Sequence, residues 1–349
     1  MVIVDESDYI KGHRAKRTAR ITLLSEQARY RLVLTGTPIS QGIQDLFSQM
    51  KFLSPKILGY RSWHTFARNH LEYSDRYRGL VVRTHNTEWL AEKIRPYVYQ
   101  VTKEECLTLP EKLYESRRCT LTSEQEQAYA IAKDQFVKDM IEYWDDSAYE
   151  SSVPIFRLFS RLQGIVCGFA RDSDGNASSL HHLRLGLLLD TLKRIPPGEK
   201  VVIWAKYHHC IDEIVAALPT EEVCQYHGHL SERRRHDELQ RWRESGRYLV
   251  GTQSAGQRGV DMTAANHVIF YANSFKYSER LQAEDRAHRI GQTKPVTYID
   301  LWAECGIEER IAGAMWRKGN VVDDFKAEVD KIKDKHNRKT LLKKLVKKL

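Results

Sequence analysis

The sequence predicts an α/β protein built on parallel sheet, and three observations carry that prediction. Short apolar runs of strand length recur along the chain, helical patterns separate most of them, and polar or acidic residues stand at their carboxyl ends. Runs without polar alternation are what strands buried on both faces of a parallel sheet look like. Strand, helix and strand in succession form the crossover unit of such a sheet, with its ligand crevice at the carboxyl edge. At 349 residues the chain has room for two domains.

MVIV is the first such strand, and it delivers Asp5 and Glu6 at its end. A basic helix is expected from Arg14 to Ala28, then the strand RLVLT, ending in Thr35-Gly36-Thr37-Pro38. Residues 42 to 95 read as helices and loops, and YVYQVT (97–102) as one more strand. From Leu109 the character turns helical. Thr122 to Gln125 has the capping-box pattern, opening a helix that runs to Trp144, and Ile155 to Val166 forms another. The polar, glycine-containing stretch 170–179 is read as a linker.

Beyond it, strands are expected at Lys200–Trp204, Glu222–Tyr226, Tyr248–Gly251, His267–Tyr271 and Val296–Trp302. Helices lie between most of them, one near Ser231 to Trp242 behind a good N-cap, and together they make a complete parallel lobe. Residues 247–292 punctuate strand, glycine loop and strand before a helix expected to carry Gln282, Arg286 and Arg289 on one face. The organisation that follows is 1–108, a partial lobe; 109–175, a helical protrusion and linker; 176–320, a full lobe; and 321–349, a basic helix.

Composition narrows the function classes. No run of about 18 apolar residues exists to span a membrane, and MVIVDESD has no basic leader, so no secretory signal is expected at this end. Six scattered cysteines without a CxxC pair fit free thiols in a reducing compartment. Cys224, His227 and His229 hint at a metal site but lack a second ligand pair. The net charge of +9 is concentrated in residues 331–349, where nine Lys or Arg face only Asp334. Leu341, Leu342, Leu345 and Leu349 have helical spacing there, which fits either an amphipathic docking helix or an arm contacting DNA or a partner.

An Asp-Glu pair at the end of an apolar strand suits phosphoryl chemistry, since one carboxylate can hold the water shell of Mg²⁺ and the other position a water. Such a pair alone also caps helices, and small residues such as Thr35-Gly36-Thr37 often end strands. In order, however, MVIVDESDYIK, RLVLTGTPIS, KVVIWAKYHHCIDEI, SAGQRGVDMTAAN and QAEDRAHRIGQ resemble helicase motifs II to VI. The match is to the Swi/Snf family of superfamily-two ATPases, most specifically in HRIGQ, and it extends over nearly the whole chain.

The resemblance implies two RecA-like lobes, the first incomplete, with ATP and Mg²⁺ between them and double-stranded DNA across both. Asp5 would bind Mg²⁺ through water and Glu6 would activate the hydrolytic water. Thr35, Gly36 and Thr37 would couple nucleotide state to the lobe interface, and Gly256, Gly259 and Asp261 would let the motif V loop approach nucleotide and DNA. Gln282, Arg286 and Arg289 would face the triphosphate, and Lys206, Ser254 and Arg258 would contact DNA. Departures from the family pattern are Asp8 for the usual His, Lys206 for Gln, Gln257-Arg258 for Gly and its neighbour, and Asp261 for Asn. No G-x-x-x-x-G-K-[ST] occurs; PPGEK and RKGN fail its spacing.

The expectation is therefore a DNA-dependent, duplex-translocating ATPase, the C-terminal part of a split or truncated motor. An N-terminal half-motor polypeptide would supply the P-loop. The lack of long insertions fits a bacterial or viral member working in the cytoplasm. The alternative is a non-catalytic DNA- or partner-binding module built on the second lobe and the basic tail. Strands VIV and RLVLT are further expected to keep unpaired edges and a bare apolar face.

Overall fold

The computed structural model describes all residues except 37, 40–41, 74–80, 102, 144–151, 172–176, 257–258 and 334. The chain packs as two units, Met1–Cys106 and Leu107–Leu349.

In the first unit, β1 (Val2–Val4) and β2 (Arg31–Val33) pair in parallel across α1 (Lys16–Glu26). Then come α2 (Gln44–Leu53), α3 (Pro55–Leu58), α4 (Trp63–His70), the antiparallel pair β3 (Leu71–Tyr73) and β4 (Val81–Thr84), α5 (Thr87–Ile94) and α6 (Lys103–Cys106). The core lies among the helices, where Leu46, Phe47, Met50, Phe66 and Leu90 pack together. The expectation that MVIV is buried on both faces fails: Ile3 is 47% exposed, Leu32 48% and Leu34 52%. The two-stranded sheet is too narrow to cover them, and the bare apolar face expected from the sequence is present. Residues 97–101 form no strand. Val98 bonds back to Arg95 in a single turn, and Tyr97 and Tyr99 face solvent.

The second unit opens with β5 (Lys112–Cys119), a strand where the sequence suggested helix, and continues through α7 (Ser123–Tyr143) and α8 (Ser152–Val166). A hairpin of β6 (Phe169–Arg171) and β7 (Ala177–Ser179) occupies the expected linker. Alternation follows: α9 (Arg184–Arg194), β8 (Lys200–Ala205), α10 (His208–Ala217), β9 (Val223–Tyr226), α11 (Glu232–Glu244) and β10 (Tyr248–Thr252). It continues with α12 (Gln253–Gly256), β11 (Ala265–Phe270), α13 (Tyr277–Glu284), β12 (Val296–Ala303) and α14 (Gly306–Trp316). The end holds two helices rather than one, α15 (Val321–Lys333) and α16 (Arg338–Lys347), with Asn337 at the break.

The main sheet of the second unit holds six described strands, all parallel, ordered β5-β12-β11-β8-β10-β9. Strands β8 and β10 are buried along nearly their whole length, and apolar clusters around Leu188, Ile203 and Ile211 and around Trp204, Trp242 and Phe270 pack against the sheet. β5 extends the sheet through eight paired positions beside β12, from Lys112 opposite Val296 to Cys119 opposite Ala303. Its run KLYESRRC is charged because it forms the edge, where charge blunts pairing with other chains. The capping box forms as expected: Thr122 N donates to Gln125 Oε1 at 3.0 Å, and Gln125 N to Thr122 Oγ1 at 3.3 Å. Ser231 caps α11 by accepting from Arg234 N.

Candidate functional site

The acid turn of the first unit is fixed by backbone and by one buried glutamine. Asp5 leaves β1 exposed, and its Oδ1 accepts from Glu6 N at 2.9 Å. Glu6 sits at φ 50°, ψ 57°, a left-handed conformation that costs a non-glycine residue about 1–3 kcal/mol. Ser7 N donates to Leu34 O at 3.0 Å and Leu34 N to Val4 O at 2.9 Å, clamping the turn to the end of β2, where Thr35 and Gly36 follow. Thr37 lies outside the described residues. Beneath the turn, buried Ser7 Oγ donates to Gln49 Oε1 at 2.6 Å, and Gln49 Nε2 donates to Pro38 O and Asp45 O at 2.8 and 2.9 Å. One side chain of α2 thus ties the DES turn to the TGTP turn. Sequence reasoning missed it, because a glutamine on a helix reads as a surface residue.

In the second unit the loop after β10 and the turn after α13 are stitched together. Gly259 adopts φ +52°, and Gly256 lies so close to the Trp204 ring that an added Cβ would come within 2.6 Å of it. Asp261 Oδ1 accepts from Thr263 N and Oγ1, both at 2.9 Å. Burial alone would raise the Asp261 pKa. The Thr263 amide and hydroxyl, with Arg289 and Arg243 nearby, outweigh it and hold the carboxyl below its ordinary value. Met262 N donates to Arg286 O at 3.0 Å, so Asp261 and the two arginines belong to one local assembly.

The helix expected to carry Gln282, Arg286 and Arg289 on one face stops before the arginines. α13 ends at Glu284, so only Gln282 lies on it, and Arg286 and Arg289 occupy successive turns. Buried Gln292 explains the shape. Its Nε2 donates to Thr263 O, Ala265 O and Ala287 O at 3.0–3.1 Å, and its Oε1 accepts from Thr293 N and Lys294 N. The backbone between Ala287 and Gln292 is therefore bound to the start of β11 rather than to a further helical turn.

α13 itself is held by buried charge. Arg280 grips Asp300 with two nitrogens at 2.5 and 3.1 Å, Asn273 Oδ1 at 2.9 Å and Glu284 Oε1 at 2.8 Å. Glu284 Oε2 accepts in turn from Lys112 and Tyr114 of β5, at 3.1 and 2.9 Å. Burial and the Glu284 carboxylate push the Tyr114 phenol well above its usual range. The strand missed in the sequence therefore anchors the element leading to the arginines.

Two of the three residues assigned to DNA follow neighbouring strands, Lys206 after β8 and Ser254 after β10, which pair at Ala205 and Thr252. Ser254 is exposed on α12, and Arg258 lies outside the described residues. Lys206 turns inward. Its Nζ donates to Gln163 Oε1 at 2.9 Å and lies over the Phe275 ring, and desolvation drives its pKa well below normal. Cys224 packs in the cluster with Trp242, whereas His227 and His229 meet the ring of His208, which stacks on His229 at 3.5 Å. Among the described residues no group of His, Cys, Asp or Glu is arranged to hold a metal ion unaided, and no helix is long and apolar enough to cross a membrane.

A parallel RecA-like sheet with glycine loop and arginine turn, together with a strand-end acid pair, defines a helicase-like ATPase class. The SNF2-related domain model matches residues 1–167 and the helicase conserved C-terminal domain model matches residues 184–291. The chain belongs to the Swi/Snf family of superfamily-two helicase-like ATPases. An uncharacterized ATP-dependent helicase of Mycoplasma genitalium is 26% identical over 329 residues, covering 92% of this chain and 30% of that protein. The putative ATP-dependent helicase/translocase YwqA of Bacillus subtilis is 27% identical over 322 residues, covering 89% and 34%. The solved C-terminal part of the Fun30 ATPase domain matches 68% of this chain and 99% of its own, with TM-score 0.50 at 19% identity, a likeness of fold. The chain spans about a third of the length of these curated relatives.

Proposed function

We propose that the chain is the part of a DNA-dependent, ATP-driven duplex translocase that carries its hydrolytic carboxylates and arginines. Its P-loop would come from polypeptide outside these 349 residues. The observation that carries this reading is Glu6, an acid held in a left-handed turn beside Asp5 by a backbone clamp and a buried side chain. A turn with no chemistry to perform is served better by glycine, and strain of this kind is characteristic of functional sites. The helicase and translocase names of the relatives support the same reading.

The donor set fits Mg²⁺, a hard cation that takes carboxylate oxygen and water: Asp5 is exposed at the strand end with a second carboxylate next to it. Bound there, the ion would neutralise charge on the phosphates. Asp5 would hold it through water, and Glu6 would orient the attacking water. Arg286 and Arg289 would stabilise charge on the transferred phosphoryl group, with Asp261 setting the direction of Arg289. Gln282 would contact nucleotide, Thr35, Gly36 and Thr37 would relay its state, and Gly256 and Gly259 would let backbone approach. Ser254 and Arg258 would meet DNA, and Lys206, turned inward, would support that loop.

The test is ATP hydrolysis by the full chain, with and without duplex DNA and a P-loop-bearing polypeptide of the family. Negligible turnover alone is expected, with DNA-stimulated turnover on addition that Asp5→Ala and Arg286→Ala abolish. Robust turnover by the chain alone, lost in the same variants, overturns the requirement for an outside P-loop. Duplex binding indifferent to nucleotide, with no turnover in either mixture, overturns the catalytic reading.

A further inference from the structure

The basic end of the chain is a fixed surface. In α16, Leu342 and Val346 are buried, as is Leu349 just beyond, in the apolar cluster shared with α7, α8, α14 and α15. Tyr129 Oη donates to Leu349 O at 2.5 Å and accepts from Ile307 N at 3.1 Å. Gly306 has no side chain where one would overlap the backbone of Lys348 and Leu349. The helix is thus seated on the second unit from both of its turns.

Its outer face is lysine apart from Thr340. Lys339, Lys343, Lys344, Lys347 and Lys348 are exposed, and α16 contains no acidic residue. Residues 339, 343 and 347 lie in one column and 344 and 348 in the next, a stripe about 13 Å long at 1.5 Å per residue. Among the described residues no ion pair engages any of the five. Across the packing interface, Lys133 of α7 is drawn into the same field. Burial first, and the charge of Lys347 as well, lower its pKa against the pull of Asp134. Like charges are gathered here, and no salt bridge from the described residues neutralises them.

We propose that α16 is a phosphate-contacting stripe for duplex nucleic acid that acts independently of ATP. Lysines are point charges without the forked geometry that reads bases, so the contact is to backbone and insensitive to sequence. Each strand of a duplex carries about one charge per 3.4 Å of axis, a spacing that five cations over about 13 Å match along one groove edge. Single strands are held largely by stacking, and α16 has no aromatic residue. A membrane surface would need the apolar face of the helix, which is already buried. The surface does not depend on the chain hydrolysing ATP, so its failure and that of the catalytic reading are separable.

The experiment is nucleotide-free binding of a short labelled DNA duplex by the full chain across a NaCl titration. It compares the parent with a variant carrying Lys343→Gln, Lys344→Gln, Lys347→Gln and Lys348→Gln. The plot of log affinity against log salt is expected to lose about 3–4 units of slope, at about 0.9 per phosphate contact, with at least tenfold weaker binding at low salt. The corresponding four Lys→Arg changes keep the charge and must keep the binding, which separates the stripe from a folding defect. An unchanged slope in the Gln variant overturns the proposal. So does binding of poly-glutamate or of vesicles of anionic phospholipid as tight as that of the duplex.

Discussion

The two parallel sheets of this chain are made of the same kind of apolar strand and are finished to different degrees. In the second unit Ile203 of β8 is fully buried, whereas in the first Ile3 of β1 is half exposed. The difference lies in what surrounds the strands: six strands packed against apolar clusters in one unit, two strands with an open face in the other. A strand sequence therefore does not determine burial, since neighbours supply it. The chemistry divides in the same way, with the acids on the open sheet and the arginines on the finished one.

Substitutions that sharpen this contrast differ widely in size. The largest effect is expected from Arg184→Ala. This fully buried arginine bonds Glu308 at 2.6 Å and the carbonyls of Tyr271 and Leu301, so its loss leaves a buried carboxylate unpaired. About 3–5 kcal/mol should be lost from the urea unfolding of the second unit, with the first unit's transition unmoved. Ile203→Ala should cost about 2–5 kcal/mol in the same assay. Ile3→Ala, on the open face, should stay within about 0.5 kcal/mol while reducing binding of an apolar dye. Equal losses at Ile203 and Ile3 would break the comparison.

Glu6→Gly should stabilise the first unit by about 1 kcal/mol through relief of the left-handed strain, measured by urea unfolding, and should abolish reconstituted ATP turnover. The smallest effect concerns pH. His208 and His227 have lowered pKa values, for burial first and neighbouring imidazoles second. Between their folded values and 6.5 the unfolded chain binds more protons, so stability is full above pH 6.5 and declines as pH falls through the folded values. His208→Gln should flatten that decline in thermal melts of the full chain between pH 7.5 and 5.

Much of the fold was legible because the residues involved act locally. Apolar runs gave the five strands β8 to β12 within a residue or two, and Thr122 with Gln125 gave the start of α7. What escaped depends on distant partners. β5 carries the charges of an edge strand and becomes one only beside β12. Lys206 reads as an exposed cation until Gln163 and Phe275 draw it inside. α13 follows its helical pattern until Gln292, eight residues past its end, binds Ala287 to the loop before β11. The site residues were placed by motif order, whereas Gln49 and Arg280, which hold those motifs in shape, carry no local signal of that role.

The central claim is that the acid-bearing sheet is unfinished and the arginine-bearing sheet is complete, and native-state hydrogen exchange of the full chain tests it most directly. Amides of Val2–Val4 and Arg31–Val33 are expected to exchange through local opening, far faster than those of Val201–Ala205 and Leu249–Gly251, which await global unfolding. Equal protection of the two sheets in the chain alone would contradict the account.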